Sequence, residues 1–188
     1  MDLKGTKIML LLLVSMTISC FTYVKYRQFQ GKEEYFKVID NWEIATPMLK
    51  AVPGLSDRTK WNRHNYWTEI PIHYIGDKYN EKAEYYMKKG IIRIDTVYIY
   101  AYSKETCYVK SLATFDDGTP VFGYLQQYDH SPVSFAFDTL TIPQDEDSIR
   151  IDFTVRIKDT TDSDITETPF SFVLYRYDKK RLGMWGGK

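Results

Sequence analysis

The chain has 188 residues, 44% of them hydrophobic and 27% charged, which excludes wholesale disorder and fits one ordinary domain behind an N-terminal segment. Ten glycines and seven prolines exclude a collagen-like chain, and two cysteines exclude a disulfide scaffold. Twenty-five basic residues balance twenty-five acidic ones, so no global field recruits nucleic acid.

Lys4 and Lys7 precede the apolar run Ile8–Val14, which softens into small residues ending at Ser19-Cys20. A basic start, an apolar middle and a small-residue end make a secretory signal. The tetrad Thr17-Ile18-Ser19-Cys20 resembles the lipobox of bacterial lipoproteins, in which signal peptidase II cuts before a cysteine that becomes lipidated. The resemblance implies lipidation of Cys20. Thr17 stands where a lipobox usually carries leucine, and Phe21-Thr22-Tyr23-Val24 is not the usual polar tether. A second reading is an uncleaved signal-anchor, because Ile8 to Val24 is a nearly unbroken apolar stretch of 17 residues, the lower limit for a spanning helix. Plain cleavage is a third. All three export the rest of the chain, and residues 1–24 are the targeting or anchoring segment in the first two. The expected location is the bacterial cell envelope, with the domain held to a membrane by an N-terminal lipid or helix.

Residues 25–89 are expected to be a helical and irregular layer. Tyr35-Val38-Trp42 and Phe36-Ile39 recur at offsets of three and four, which predicts an amphipathic helix from about Lys32 to Trp42. Pro47, Pro53-Gly54 and Pro71 break the chain. A second helix is expected over Asn80–Gly90, with Asn80 as cap, Lys88 and Lys89 at the C-terminal end and Gly90 as the terminating glycine.

From 90 to 188 the period changes to two, in six strand-like runs. Ile149–Lys158 is the cleanest, with apolar and polar residues in strict alternation. Asp117-Gly118 predicts a type I′ hairpin. Cys107, in the strand-like run Thr106–Val109, is expected to be a buried, inert thiol. Turns, not helices, separate the runs, so the fold class is mainly β: an antiparallel β-sandwich with a short helical and irregular N-terminal layer.

Chemistry is sparsely signalled. Phosphate-binding glycine patterns, CxxC, HExxH and GxSxG are absent from the sequence. Asp129-His130-Ser131 has a triad's composition, but consecutive side chains do not converge. Asp116 and Asp117 in one turn and Asp145 and Asp147 in another offer oxygen ligands for calcium, and acidic turns equally keep a β protein soluble. The densest feature is Trp61-Asn62-Arg63-His64-Asn65-Tyr66-Trp67, with Trp42 upstream and His73-Tyr74 downstream. Trp61, Arg63, His64, Tyr66 and Trp67 have the chemistry to stack on a sugar ring or anchor a protein partner. Large aromatics are also core builders, and Trp67, just before the apolar Ile70-Pro71-Ile72, is expected to be buried. The resulting expectation is a non-catalytic binding or interaction module of the envelope, with a protein or carbohydrate ligand, no nucleic acid and no cofactor. The alternative is an envelope hydrolase whose carboxylate pair is assembled non-locally.

Overall fold

The computed structural model describes residues 21–33, 36–51, 65–77, 81–124, 133–158 and 164–184. Along them run β1 (Phe21–Gln30), β2 (Phe36–Ile39), β3 (Trp42–Ala45), β4 (Met48–Ala51) and β5 (Asn65–Tyr74), then the helix α1 (Glu81–Lys88). There follow β6 (Ile92–Arg93), β7 (Thr96–Ala101), β8 (Thr106–Ser111), β9 (Phe122–Tyr124), β10 (Val133–Thr141), β11 (Ser148–Lys158) and β12 (Ile165–Met184). Every strand pairing is antiparallel, as the turn-separated runs require.

β12 joins the two arms of the sheet. Its first half, Ile165–Tyr175, pairs with β11, and its second half, Tyr175–Met184, pairs with β1. One arm continues from β11 to β7 and β8, and the other from β1 through β4, β5 and β3 to β2. β10 lines the remaining side of β5 and carries β9. The arms meet again beyond β8, where the Ala113 amide donates to the Ala136 carbonyl at 2.9 Å. Ile149, Ile151, Phe153 and Val155 of β11 thus share one core with Ile44, Ile70, Ile72 and Phe135 from the other arm.

The expected helix over Lys32–Trp42 does not form. Ile39 pairs with Trp42 across a two-residue turn, Asp40-Asn41, whose first residue adopts a φ of 52°. Asp tolerates that left-handed conformation, so the turn wins over a three–four apolar spacing that is also met by two short strands. Five strands therefore lie between Phe21 and Tyr74, so more of this region is sheet than its sequence spacing predicts.

The helix of residues 81–88 does form. Its cap is Asp77, whose carboxylate accepts the Lys82 and Ala83 amides at 2.7 and 3.2 Å, while Asn80 lies outside the described residues. Gly90 ends it as expected, at a φ of 66°, with Ile91 N–H donating to Tyr86 O and Gly90 N–H to Met87 O. Asp77→Ala is expected to lower stability by about 1 kcal/mol in a denaturant melt, the worth of one such cap.

The turn at Asp116–Gly118 is a hairpin of a different type. Only Gly118 there has a positive φ, 81°, and Phe115 bonds to both Gly118 and Thr119. That is a turn followed by a left-handed glycine, whereas type I′ needs two positive φ values. Cys107 is a free thiol on the exposed side of β8, because it falls on the outward parity of an edge strand.

Candidate functional site

The β2–β3 turn, the end of β5, α1 and the ends of β11 and β12 enclose a cleft of about 220 Å³. Three aromatic rings build its wall. Trp42 is 3% exposed and meets Tyr74 edge-on at 5.0 Å and Tyr86 at 5.8 Å, and the two tyrosines lie 5.4 Å apart. Edge-to-face contacts of this kind add about 0.5–1.5 kcal/mol each to simple burial. Tyr74 and Tyr86 remain half-buried, so the mouth of the cleft meets their rings while Trp42 backs them. Asp40, Asn41, Lys158 and Thr166 supply a carboxylate, an amide, an ammonium and a hydroxyl around it.

Backbone bonds hold the walls together. Ile75 N–H donates to Asn41 O at 2.8 Å, tying the turn to β5. Ile91 N–H reaches Tyr86 O at 2.9 Å, and Lys158 N–H reaches Ile91 O at 2.8 Å, tying α1 to β11. His73 lies across from Glu43 with its Nδ1 3.3 Å from the carboxylate, and its Nε2 is 3.2 Å from Asp77 O. The cleft is therefore preformed. Its volume lies below the roughly 300–1,000 Å³ of sites for drug-sized ligands and equals about seven waters at ~30 Å³ each. A single small ring is of that size.

The residues singled out from sequence fall elsewhere. Cys20, Trp61, Arg63 and His64 lie outside the described residues. Tyr66 is 2% exposed and packs edge-on against Phe29 at 5.4 Å. Burial holds its hydroxyl above the ordinary tyrosine pKa, against the opposing pull of Arg27 and Arg176. Trp67 is 40% exposed, contrary to the burial expected of it, because consecutive strand residues face opposite ways and Tyr66 takes the inward place. Tyr66 and Trp67 therefore share no surface.

Among the described residues no group of three or more His, Cys, Asp or Glu side chains gathers as a metal site. Hydrogen bonds from the Thr119 side chain and from its amide, the latter at 2.8 Å, lower the pKa of Asp117, and Asp147 pairs with Arg176 at 2.8 Å. Asp116 and Asp145 are exposed in their turns. Three carboxylates among the described residues are buried, each with its own structural partners. Glu69 meets Lys50 at 2.5 Å, Glu146 accepts the Tyr102 and Ser103 amides and the Ser103 hydroxyl, and Asp77 caps α1. None of the three lines the cleft.

A second, shallow aromatic surface lies on the outer face of the β11 arm. Register puts Cys107, Tyr100, Arg150 and Val173 in one row, and Val109, Tyr98, Asp152 and Ser171 in the next. Arg150 stacks 4.2 Å above the Tyr100 ring and pairs with Asp152 at 3.2 Å.

No protein family and no curated protein sequence matches the chain. Among solved structures it is similar to a copper-bound variant of FetP from uropathogenic Escherichia coli strain F11, with 10% identity and a TM-score of 0.38 over 80% of this chain and 96% of that one. It is also similar to a copper-bound variant of P19 from Campylobacter jejuni, with 12% identity and a TM-score of 0.36 over 81% and 97% of the two chains. Copper-reconstituted P19 aligns at 11% identity and a TM-score of 0.35 over 81% and 95%. Likeness at this level says nothing about ligand or role.

Proposed function

We propose that this chain is an exported, membrane-tethered binding module of the bacterial envelope that holds a single hydroxylated ring, such as one sugar residue, without transforming it. The observation that carries the reading is the cleft: half-buried Tyr74 and Tyr86, backed by Trp42, face a rim of carboxylate, amide, ammonium and hydroxyl. An aromatic wall takes the C–H face of a pyranose, and mixed donors and acceptors take its hydroxyls. The hydrolase alternative needs two carboxylates converging on a ligand, and among the described residues Asp40 is the carboxylate that lines this cleft.

The lipobox-like Thr17-Ile18-Ser19-Cys20 supports a lipid on Cys20 as the tether. Among the described residues no helix is long and apolar enough to cross a membrane.

Saturation-transfer NMR on the full chain with a panel of free monosaccharides tests the binding role. At least one sugar is expected to receive saturation, and Tyr86→Ala is expected to weaken it about fivefold, the loss of ~1 kcal/mol of ring contact. No transfer to any sugar, or transfer unchanged by Tyr86→Ala and Thr166→Val, contradicts the reading.

A further inference from the structure

We infer that the ring taken by the cleft carries a carboxylate, as a uronic acid does, and that Lys158 selects for it. The inference rests on the single-ring reading above and adds the class of ring. Among the described residues two charged side chains line the cleft, Asp40 on the β2–β3 turn and Lys158 at the end of β11. They do not pair with each other, and neither meets an opposite charge among the described residues. Neighbouring cations on β11 are neutralised within the sheet: Arg150 pairs with Asp152 at 3.2 Å, and Arg156 with Asp95 at 2.7 Å and Glu167 at 2.8 Å. Lys158 stands on the last rung between β11 and β12, opposite the uncharged Ile165. Its amide donates to the Ile91 carbonyl at 2.8 Å, so its backbone is fixed in the cleft wall while its ammonium is left to a ligand.

The sign of that ligand follows from the other charges at the site. Lys82 holds its Nζ 5.7 Å from the centre of the Tyr74 ring, one of the rings of the wall. Two ammonium groups therefore act on the cleft against the one carboxylate of Asp40, which favours an anion over a cation. Asp40 suits the rest of the ring, because a carboxylate accepts from neighbouring hydroxyls. A carboxylate on a pyranose projects from the ring's edge. It leaves the C–H face free for Tyr74 and Tyr86 and keeps its charge off their electron-rich faces, which would repel it. At the edge it meets Lys158 in a charge-assisted hydrogen bond. A phosphate ester brings nearly two charges, and among the described residues the lining holds no arginine and a single lysine to take them.

Titration of the full chain by NMR with two matched pairs tests it: methyl glucoside against methyl glucuronide, and methyl galactoside against methyl galacturonide. Each pair differs only by a hydroxymethyl group against a carboxylate. In at least one pair the acid is expected to bind about fivefold more tightly at low salt, the scale of one exposed ion pair, and to lose most of that advantage at high salt. The readout is the ratio of the two affinities, which separates charge selection from a general loss of binding. Lys158→Gln should bring the ratio close to one, Lys158→Arg should keep it, and Asp40→Asn should raise it by removing the like charge. Equal affinity for acid and neutral sugar, or a preference that survives Lys158→Gln, overturns the inference and leaves the single-ring reading standing. Binding of none of the four overturns the inference, and the wider sugar panel then decides the reading itself.

Discussion

Phe153→Ala is expected to cost about 3–5 kcal/mol of stability, while Thr154→Ala, one residue on, should stay within about 0.5. Phe153 is 3% exposed and stacks on Phe170 at 5.3 Å and on Phe172 at 5.9 Å, all within the joint between β11 and β12. Removing the ring forfeits its burial and leaves a cavity that two neighbouring rings, fixed by strand pairing, fill only in part. Thr154 sits on the outward parity of the same strand, opposite Pro169, and gives up little. Urea melts of the two variants measure the difference. A reversed order would mean that the buried face of β11 is the other one.

Lys50→Met should destabilise by about 3 kcal/mol, because it leaves the Glu69 carboxylate in the sheet without its cation. Glu69 is 5% exposed and its Oε2 lies 2.5 Å from Lys50 Nζ, with Lys50 on β4 and Glu69 on β5. The companion Lys50→Met/Glu69→Leu removes the buried charge as well as its partner and should recover most of the loss, since apolar replacements of a buried pair are often neutral or better. Equal destabilisation in the single and the double variant would show that packing, not the pair, sets the cost.

The two halves of the chain differ in how far their structure can be read from residue order. β11 is legible because Ile149, Ile151, Phe153 and Val155 alternate with polar residues, a pattern a helix would scatter around its circumference. The α1 terminus is legible because Gly90 relieves a left-handed conformation that residue type alone predicts. β2 and β3 are not, since four-residue strands offer too few alternations to outweigh an accidental spacing of three and four. The deciding signal was Asp40-Asn41, a turn pair lying inside the supposed helix.

The cleft is partly legible in the same way. Trp42 and Tyr74 stand out in the sequence as neighbours of the Trp61–Trp67 segment, and they are cross-strand partners on β3 and β5. Tyr86, Lys158 and Thr166 carry no such signal, because they reach the cleft through pairings of β11 with β12 and the docking of α1. Convergence across more than a hundred residues is a property of sheet topology, which no local spacing encodes. Trp67 differs for a simpler reason: the buried Ile70 and Ile72 after it share the parity of Tyr66, which puts Trp67 on the opposite face of β5.

Chemical-shift mapping of the isotope-labelled full chain against the sugar that gives the strongest saturation transfer tests the central claim most directly. Perturbed amides are predicted at Asp40–Trp42, Tyr74, Tyr86, Lys158 and Thr166, the walls of one cleft assembled from five elements. Perturbations centred instead on exposed Trp67, or on the row of Tyr98, Tyr100 and Val109, would contradict it and move the binding surface to the outside of the sandwich.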